Sequence, residues 1–206
     1  MVGAHHRLLD PNLVPSGYDL LTYFYPYRAA VAEALSQGRL PLWNPYIFGG
    51  APLFANIQAA VLYPPNLITL PLPPFPAFAA LIFFHLWLAG LGMYLLGRLG
   101  LGLGVPAALL AALTYGLSGF LAQQLGHPNQ TAASAWLPWV LLGTLRLVRG
   151  GPGWLPLTAL FIGVQILAGH PQETYLTLVA AGLLAAYEAW SGRPRPVVFP
   201  LLGFGL

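Results

Sequence analysis

The chain has 206 residues, 57% of them hydrophobic and only 6% charged, with a formal net charge of +3 and no cysteine. Soluble domains carry roughly 25% charged residues, so this composition cannot clothe a water-facing surface, although it can clothe a lipid-facing one. Disulfide and thiolate chemistry are excluded, and the positive balance, scattered apart from Arg193 and Arg195, is no nucleic-acid signal.

Residues 1–17 form neither a signal peptide nor a span. From 18 to 37 the chain reads as a helix. Leu20, Tyr23, Phe24, Tyr27, Val31, Ala34 and Leu35 follow the i, i+3, i+4, i+7 spacing of one apolar face. Pro26 divides this run into a short turn and a longer helix, and Gly38 supplies the stop. With Arg28, Glu33 and Gln37 off the apolar face, the helix suits two positions: flat at a membrane interface, or packed on a bundle. The stretch 39–66 is rich in Pro, Gly, Asn and aromatics and has little helical period. It reads as an ordered loop half-sunk in the interface, where Trp43 and Tyr46 are at home. Asn44 before Pro45 and the pair Gly49-Gly50 read as turns.

Apolar stretches follow at about 75–97, 105–125, 131–148, 154–169 and 172–190. Each approaches the ~20 residues that cross a bilayer. A sixth begins near Val197 and stops at Leu206. The expected fold is all-α: a polytopic transmembrane helical bundle over 75–206, with five full spans and the start of a sixth. A large external loop over 1–74 carries the interfacial amphipathic helix. Arg98, Arg146, Arg149, Arg193 and Arg195 fall in alternate connections. By the positive-inside rule, loops 98–104, 149–153 and 191–196 lie in the cytosol. The turns at 126–130 and 169–172, and the segment 1–74, then face outward. An external head without an export signal predicts a further helix upstream, and the open apolar run at 197–206 predicts a chain that continues.

The carboxylates are Asp10, Asp19, Glu33, Glu173 and Glu188. Glu188 reads as a solvated helix-end residue, Asp10 as a turn starter and Glu33 as a residue of the interfacial helix. Asp19 and Glu173 remain, both on the outer side. Asp19 opens its helix and has two readings: an N-cap, or a carboxylate acting as general base or metal ligand. The two outer turns resemble each other. One reads Gly126-His127-Pro128-Asn129-Gln130-Thr131 and the other Gly169-His170-Pro171-Gln172-Glu173-Thr174. They serve as helix punctuation, or as paired helix N-termini that hold a phosphate or pyrophosphate with help from the histidines. A divalent cation, Mg2+ or Mn2+, would use Asp19 and Glu173 with a lipid phosphate. Zinc would draw on His127 and His170. His85, Gln123, Gln124 and Gln165 read as interhelical hydrogen-bonders. There is no P-loop for ATP hydrolysis, no Gly-x-Ser-x-Gly elbow and no mid-span carboxylate for ion-coupled transport.

The run Gln37-Gly38-Arg39-Leu40-Pro41-Leu42-Trp43-Asn44-Pro45-Tyr46-Ile47-Phe48-Gly49-Gly50-Ala51-Pro52, with Asp19 before it and Ala55-Asn56-Ile57-Gln58 and Tyr63-Pro64 after it, resembles bacterial YfhO-type membrane proteins, which look like GT-C glycosyltransferases. The two His-Pro turns look like that family too. The similarity covers most of this chain but only the front portion of a family member. It implies a multi-pass enzyme of the bacterial cell membrane. Such an enzyme uses a polyprenyl-phosphate-linked sugar as donor and works in the first large outer loop. Asp19 is the position matching the family's acidic base or metal ligand. His127, Asn129, His170, Gln172, Glu173, Trp43, Asn44, Asn56 and Gln58 are the candidate substrate contacts. Partners would be the lipid-linked sugar, membrane lipids and an acceptor glycan, lipid or protein. The alternatives are a transporter or flippase for a lipid-linked headgroup, and a non-catalytic membrane scaffold.

Overall fold

The computed structural model describes residues 17–191. Expectations about residues 1–16 and the run from 197 lie outside the described residues. Helices dominate, and a single two-residue antiparallel ladder is the only sheet among those residues.

The head begins with a π turn, Leu20–Phe24, running straight into α1, Tyr25–Ser36. Pro26 explains the π turn. It offers no N–H to the carbonyl four residues back and crowds it, so the preceding turn widens, and the Tyr25 amide reaches Leu20 O. The helix ends as expected. Gly38 takes φ +68°, with Gly38 N–H bonded to Leu35 O and Arg39 N–H to Ala34 O, a Schellman closure. Tyr27, Ala30 and Val31 bury their side chains against Leu53 and Val61 of the following loop. The helix thus packs on its own head, a contact that neither of the two expected positions named.

That loop holds a ladder absent from the sequence reading. β1, Trp43–Asn44, pairs with β2, Ala51–Pro52. Gly50 carries φ +117°, and a Cβ there would lie 2.6 Å from the Trp43 indole; only glycine lets the ring close over the turn. Phe48 stands at the turn tip, 94% exposed. A short helix, α2 (Pro64–Ile68), follows, and its two leading prolines occupy first-turn positions where a missing N–H costs nothing.

Helices form in all five regions expected to span. α3, Pro74–Leu95, continues into a π turn, Leu96–Gly100. α4, Val105–Gly116, is followed by α5, Gly119–Gln123, which Ser118 caps by accepting from Leu121 N–H. α6, Pro128–Ala135, is jointed at Trp136 to α7, Leu137–Val148, because Pro138 cannot donate across the joint. α8 is Leu155–Leu167 and α9 is Pro171–Trp190. Among the described residues three stretches, Pro76–Gly100, Val105–Gly126 and Pro128–Val148, are long and apolar enough to cross a membrane. The apolar helix Pro152–Leu167 is shorter than a span.

α3 packs on α4, α6 and α7, while α9 packs on α7 and α6 and α8 packs on α7. The head is fastened to this bundle by a buried polar chain. Trp136 Nε1 donates to Tyr63 Oη at 3.0 Å, and Tyr63 Oη lies 2.7 Å from His85 Nε2. His85 Nδ1 lies 2.6 Å from Leu81 O. The carbonyl can only accept, so Nδ1 carries the proton, Nε2 accepts from Tyr63, and every member is satisfied. His85 is therefore a satisfied buried residue, partnered by the head rather than by another helix. Gln165 does bond between helices, donating to Ala133 O and Thr177 Oγ1. Gln123 does not; it is exposed.

Glu188 departs from expectation. It is 9% exposed, not solvated, because Arg149 folds over it with Nε to Oε2 at 2.8 Å and Nη2 to Oε1 at 2.9 Å. Arg149 also donates to Gly100 O. The connections after α3 and α7 and the end of α9 therefore meet at one end of the bundle. The two His-Pro turns lie at the other.

Candidate functional site

The site lies where the start of the head crosses the two His-Pro turns. Asp19 does not cap its helix: its backbone is already helical and its side chain makes no capping hydrogen bond. The carboxylate reaches across the chain instead, with Oδ2 2.9 Å from His127 Nε2. Both side chains are about half exposed. His127 Nδ1 is buried and has no hydrogen-bond partner among the described residues. Nε2 thus carries the proton that Asp19 accepts.

The two turns are bridged by residues at matching positions. Gln130 and Glu173 each lie three residues after the turn histidine, and Gln130 Nε2 donates to Glu173 Oε1 at 2.9 Å. Asn129 is buried and donates to Gly169 O at 3.1 Å. Gly169 has φ +84°, and a Cβ there would collide with the Ile57 carbonyl, so the second turn is pressed against the head loop. Left-handed backbone costs a non-glycine residue about 1–2 kcal/mol. Gly169→Ala is therefore expected to lower thermal stability by at least that amount, read as a falling unfolding midpoint in detergent.

The helix N-termini are less available to an anion than their sequence promises. His170 Nδ1 accepts from Glu173 N–H at 3.3 Å, and Asn129 Oδ1 accepts from Gln130 N–H at 2.9 Å. Each turn thus satisfies part of its own helix start. Desolvation lowers the His170 pKa below its ordinary value, opposed by Glu173 and reinforced by His127. The cap needs an unprotonated Nδ1. Its contribution is complete above the ordinary histidine range near pH 6.5 and is lost as pH falls toward the lower folded value. Removing a cap costs about 1 kcal/mol. The unfolding midpoint should therefore drop between pH 7 and 5. His170→Asn, which caps without titrating, should flatten that slope; an unchanged slope would refute the assignment.

A cleft of about 190 Å³ opens here, lined by Asp19, Tyr23, Phe24, Gln58, His127, Asn129, Gln130 and His170. The candidate residues divide on this geometry. Asp19, Gln58, His127, Asn129 and His170 line the cleft, and Glu173 joins it through Gln130. Asn56 stands behind Tyr23, exchanging hydrogen bonds with its hydroxyl at 2.7 and 3.0 Å. Gln172 is exposed and off the cleft wall. Trp43 and Asn44 belong to the ladder. Asn44, 1% exposed, accepts from Tyr46 N–H as a turn residue does. No three His, Cys, Asp or Glu side chains among the described residues converge as a metal site. Among the described residues the expected Asp19–Glu173 cation pair has no third such side chain beside it and lacks the protein oxygens of a closed cage.

Tyr23, Phe24 and Gln130 are wall residues that the sequence did not single out. Gln130 had a signal, since it holds in the first turn the position Glu173 holds in the second. Comparison with known proteins gives no match to a family model, a curated protein or a solved structure.

Proposed function

We propose that this is a multi-pass membrane enzyme that transfers a sugar from a polyprenyl-phosphate donor to an acceptor hydroxyl, at the membrane face opposite its arginine-bearing connections. The observation that carries the reading is the pairing of Asp19 with His127 at a cleft between head and bundle. Three helices apolar enough to cross a bilayer support membrane residence. The arginine distribution supports an outward-facing cleft.

The chemistry follows from the pair. His127 donates from Nε2 to Asp19 Oδ2 and holds the carboxylate in place. Oδ1 has no partner among the described residues and is the oxygen left for a substrate proton. The acceptor oxygen bonds to the anomeric carbon as the bond from that carbon to the phosphate oxygen breaks. The hydroxyl proton passes to Asp19, and the bonding pair leaves with the polyprenyl phosphate. Gln58, Asn129, Gln130 and His170 line the cleft as hydrogen-bonding groups suited to sugar hydroxyls.

The test is incubation of the purified full chain with labelled polyprenyl-phosphate sugar and candidate acceptors. Released polyprenyl phosphate with a glycosylated acceptor supports the enzyme. Movement of labelled lipid between leaflets without release would replace it with a transporter. Neither result would leave a scaffold.

A further inference from the structure

We propose that Arg28 is the anion-binding residue of this site, holding a phosphate-sized group in a pocket beside the Asp19–His127 cleft. The inference rests on the sugar-transfer reading only for the identity of the lipid that carries the phosphate.

Arg28 lies on α1, half-buried, with its guanidinium 5.7 Å from the Phe78 ring centre. It donates to Thr69 O, to Thr69 Oγ1 at 3.2 Å and, at 3.5 Å, to Asn66 O. These partners satisfy N–H groups but carry no negative charge. Every carboxylate among the described residues has another partner. Asp19 takes His127, Glu33 takes the Tyr46 hydroxyl, Glu173 takes Gln130 and Glu188 takes Arg149. Among the described residues no carboxylate thus balances Arg28, whose hydrogen bonds go only to the carbonyls at the end of α2 and the Thr69 hydroxyl, and burial pulls its pKa below the ordinary value. A charge held this way favours a counter-charge of matching geometry.

The pocket measures about 50 Å³ and is walled by Arg28, Tyr27, Asn66, Phe78 and His85. A water needs roughly 10–15 Å³ of such space, so the pocket takes about four waters, close to one phosphate group and too little for a hexose. The cleft is nearly four times larger, at about 190 Å³, which suits the sugar. Phe24, Gln58 and Asn129 line both spaces. A donor with its phosphate against Arg28 and its sugar in the cleft would bring the scissile bond to that shared wall. The self-capped His-Pro turns leave the anion no equally strong partner in the cleft itself.

The test uses the full chain in detergent micelles with three probes: a polyprenyl monophosphate, the matching polyprenol and inorganic phosphate. The monophosphate should raise the unfolding midpoint and the polyprenol should not. Arg28→Gln should weaken monophosphate binding 10- to 100-fold. Arg28→Lys, which keeps charge but loses the planar fork, should fall between wild type and Arg28→Gln, and it serves if Arg28→Gln does not fold. Equal binding of monophosphate and polyprenol, or undiminished monophosphate binding by the Arg28 variants, overturns the assignment. Binding of inorganic phosphate as tight as that of the lipid phosphate supports the anion site and identifies the free anion as its ligand. Arg28-dependent binding without sugar release sinks the transferase reading and leaves Arg28 standing. Sugar release that survives Arg28→Gln with undiminished binding does the reverse.

Discussion

Asp19→Asn should reduce sugar transfer by about 10²- to 10⁴-fold, the usual worth of a positioned general base, while the protein inserts and unfolds as before. The substitution keeps the side-chain shape but removes the group that takes the proton. Two alternatives predict otherwise. An N-cap role would move stability and leave turnover alone, and Asn is as good a cap as Asp, so nothing measurable would change. A merely exposed ion pair with His127 would cost about 0–1 kcal/mol of stability and no rate. His127→Gln keeps a donor on that side of the carboxylate and should lose less activity than Asp19→Asn. The measurement is released polyprenyl phosphate at saturating donor, with the unfolding midpoint alongside. Full activity in Asp19→Asn removes the base from the mechanism.

The helices of this fold were legible because composition and length carry them. Apolar runs near 20 residues have few other stable forms, and Pro at 26, 128, 138 and 171 marks helix starts or joints that the structure keeps. The likeness of the two His-Pro turns was legible from spacing alone. Their bridge was not, because Gln130 and Glu173 meet only when α6 and α9 pack. The contact between Asp19 and His127 joins residues 108 positions apart, and nothing periodic links them. Only the shared side assigned by arginine placement hinted at it. Arg28 was read as a polar residue off an apolar face, since its partners, the Asn66 and Thr69 carbonyls and the Thr69 hydroxyl at the end of α2, leave no periodic signature in the sequence. Asn44 before Pro45 was legible as a turn residue, and its oxygen accepts from the Tyr46 amide.

Glu188 shows the same limit from the other end of the molecule, and it leads to the largest expected loss of stability. A glutamate near a helix end reads as solvated when its partner comes from another connection. Here Arg149 supplies two hydrogen bonds to Glu188 and a third to Gly100 O, tying together α9 and the chain segments that follow α3 and α7. Removing one member of such a pair strands a buried charge, which costs about 3–5 kcal/mol. Arg149→Met should therefore approach that loss, because it leaves a carboxylate that is 5% exposed at its side chain. Glu188→Gln should cost less, since the amide oxygen still accepts from the guanidinium. The double variant Arg149→Met with Glu188→Leu removes both charges and should recover most of the stability. Such recovery would show that the single-variant loss reflects the stranded charge and not the attraction between the partners. Thermal or denaturant unfolding in detergent measures all three. A single variant as stable as wild type would mean that water reaches Glu188, and that the joint is held by apolar packing of Leu96, Leu142 and Leu145 alone.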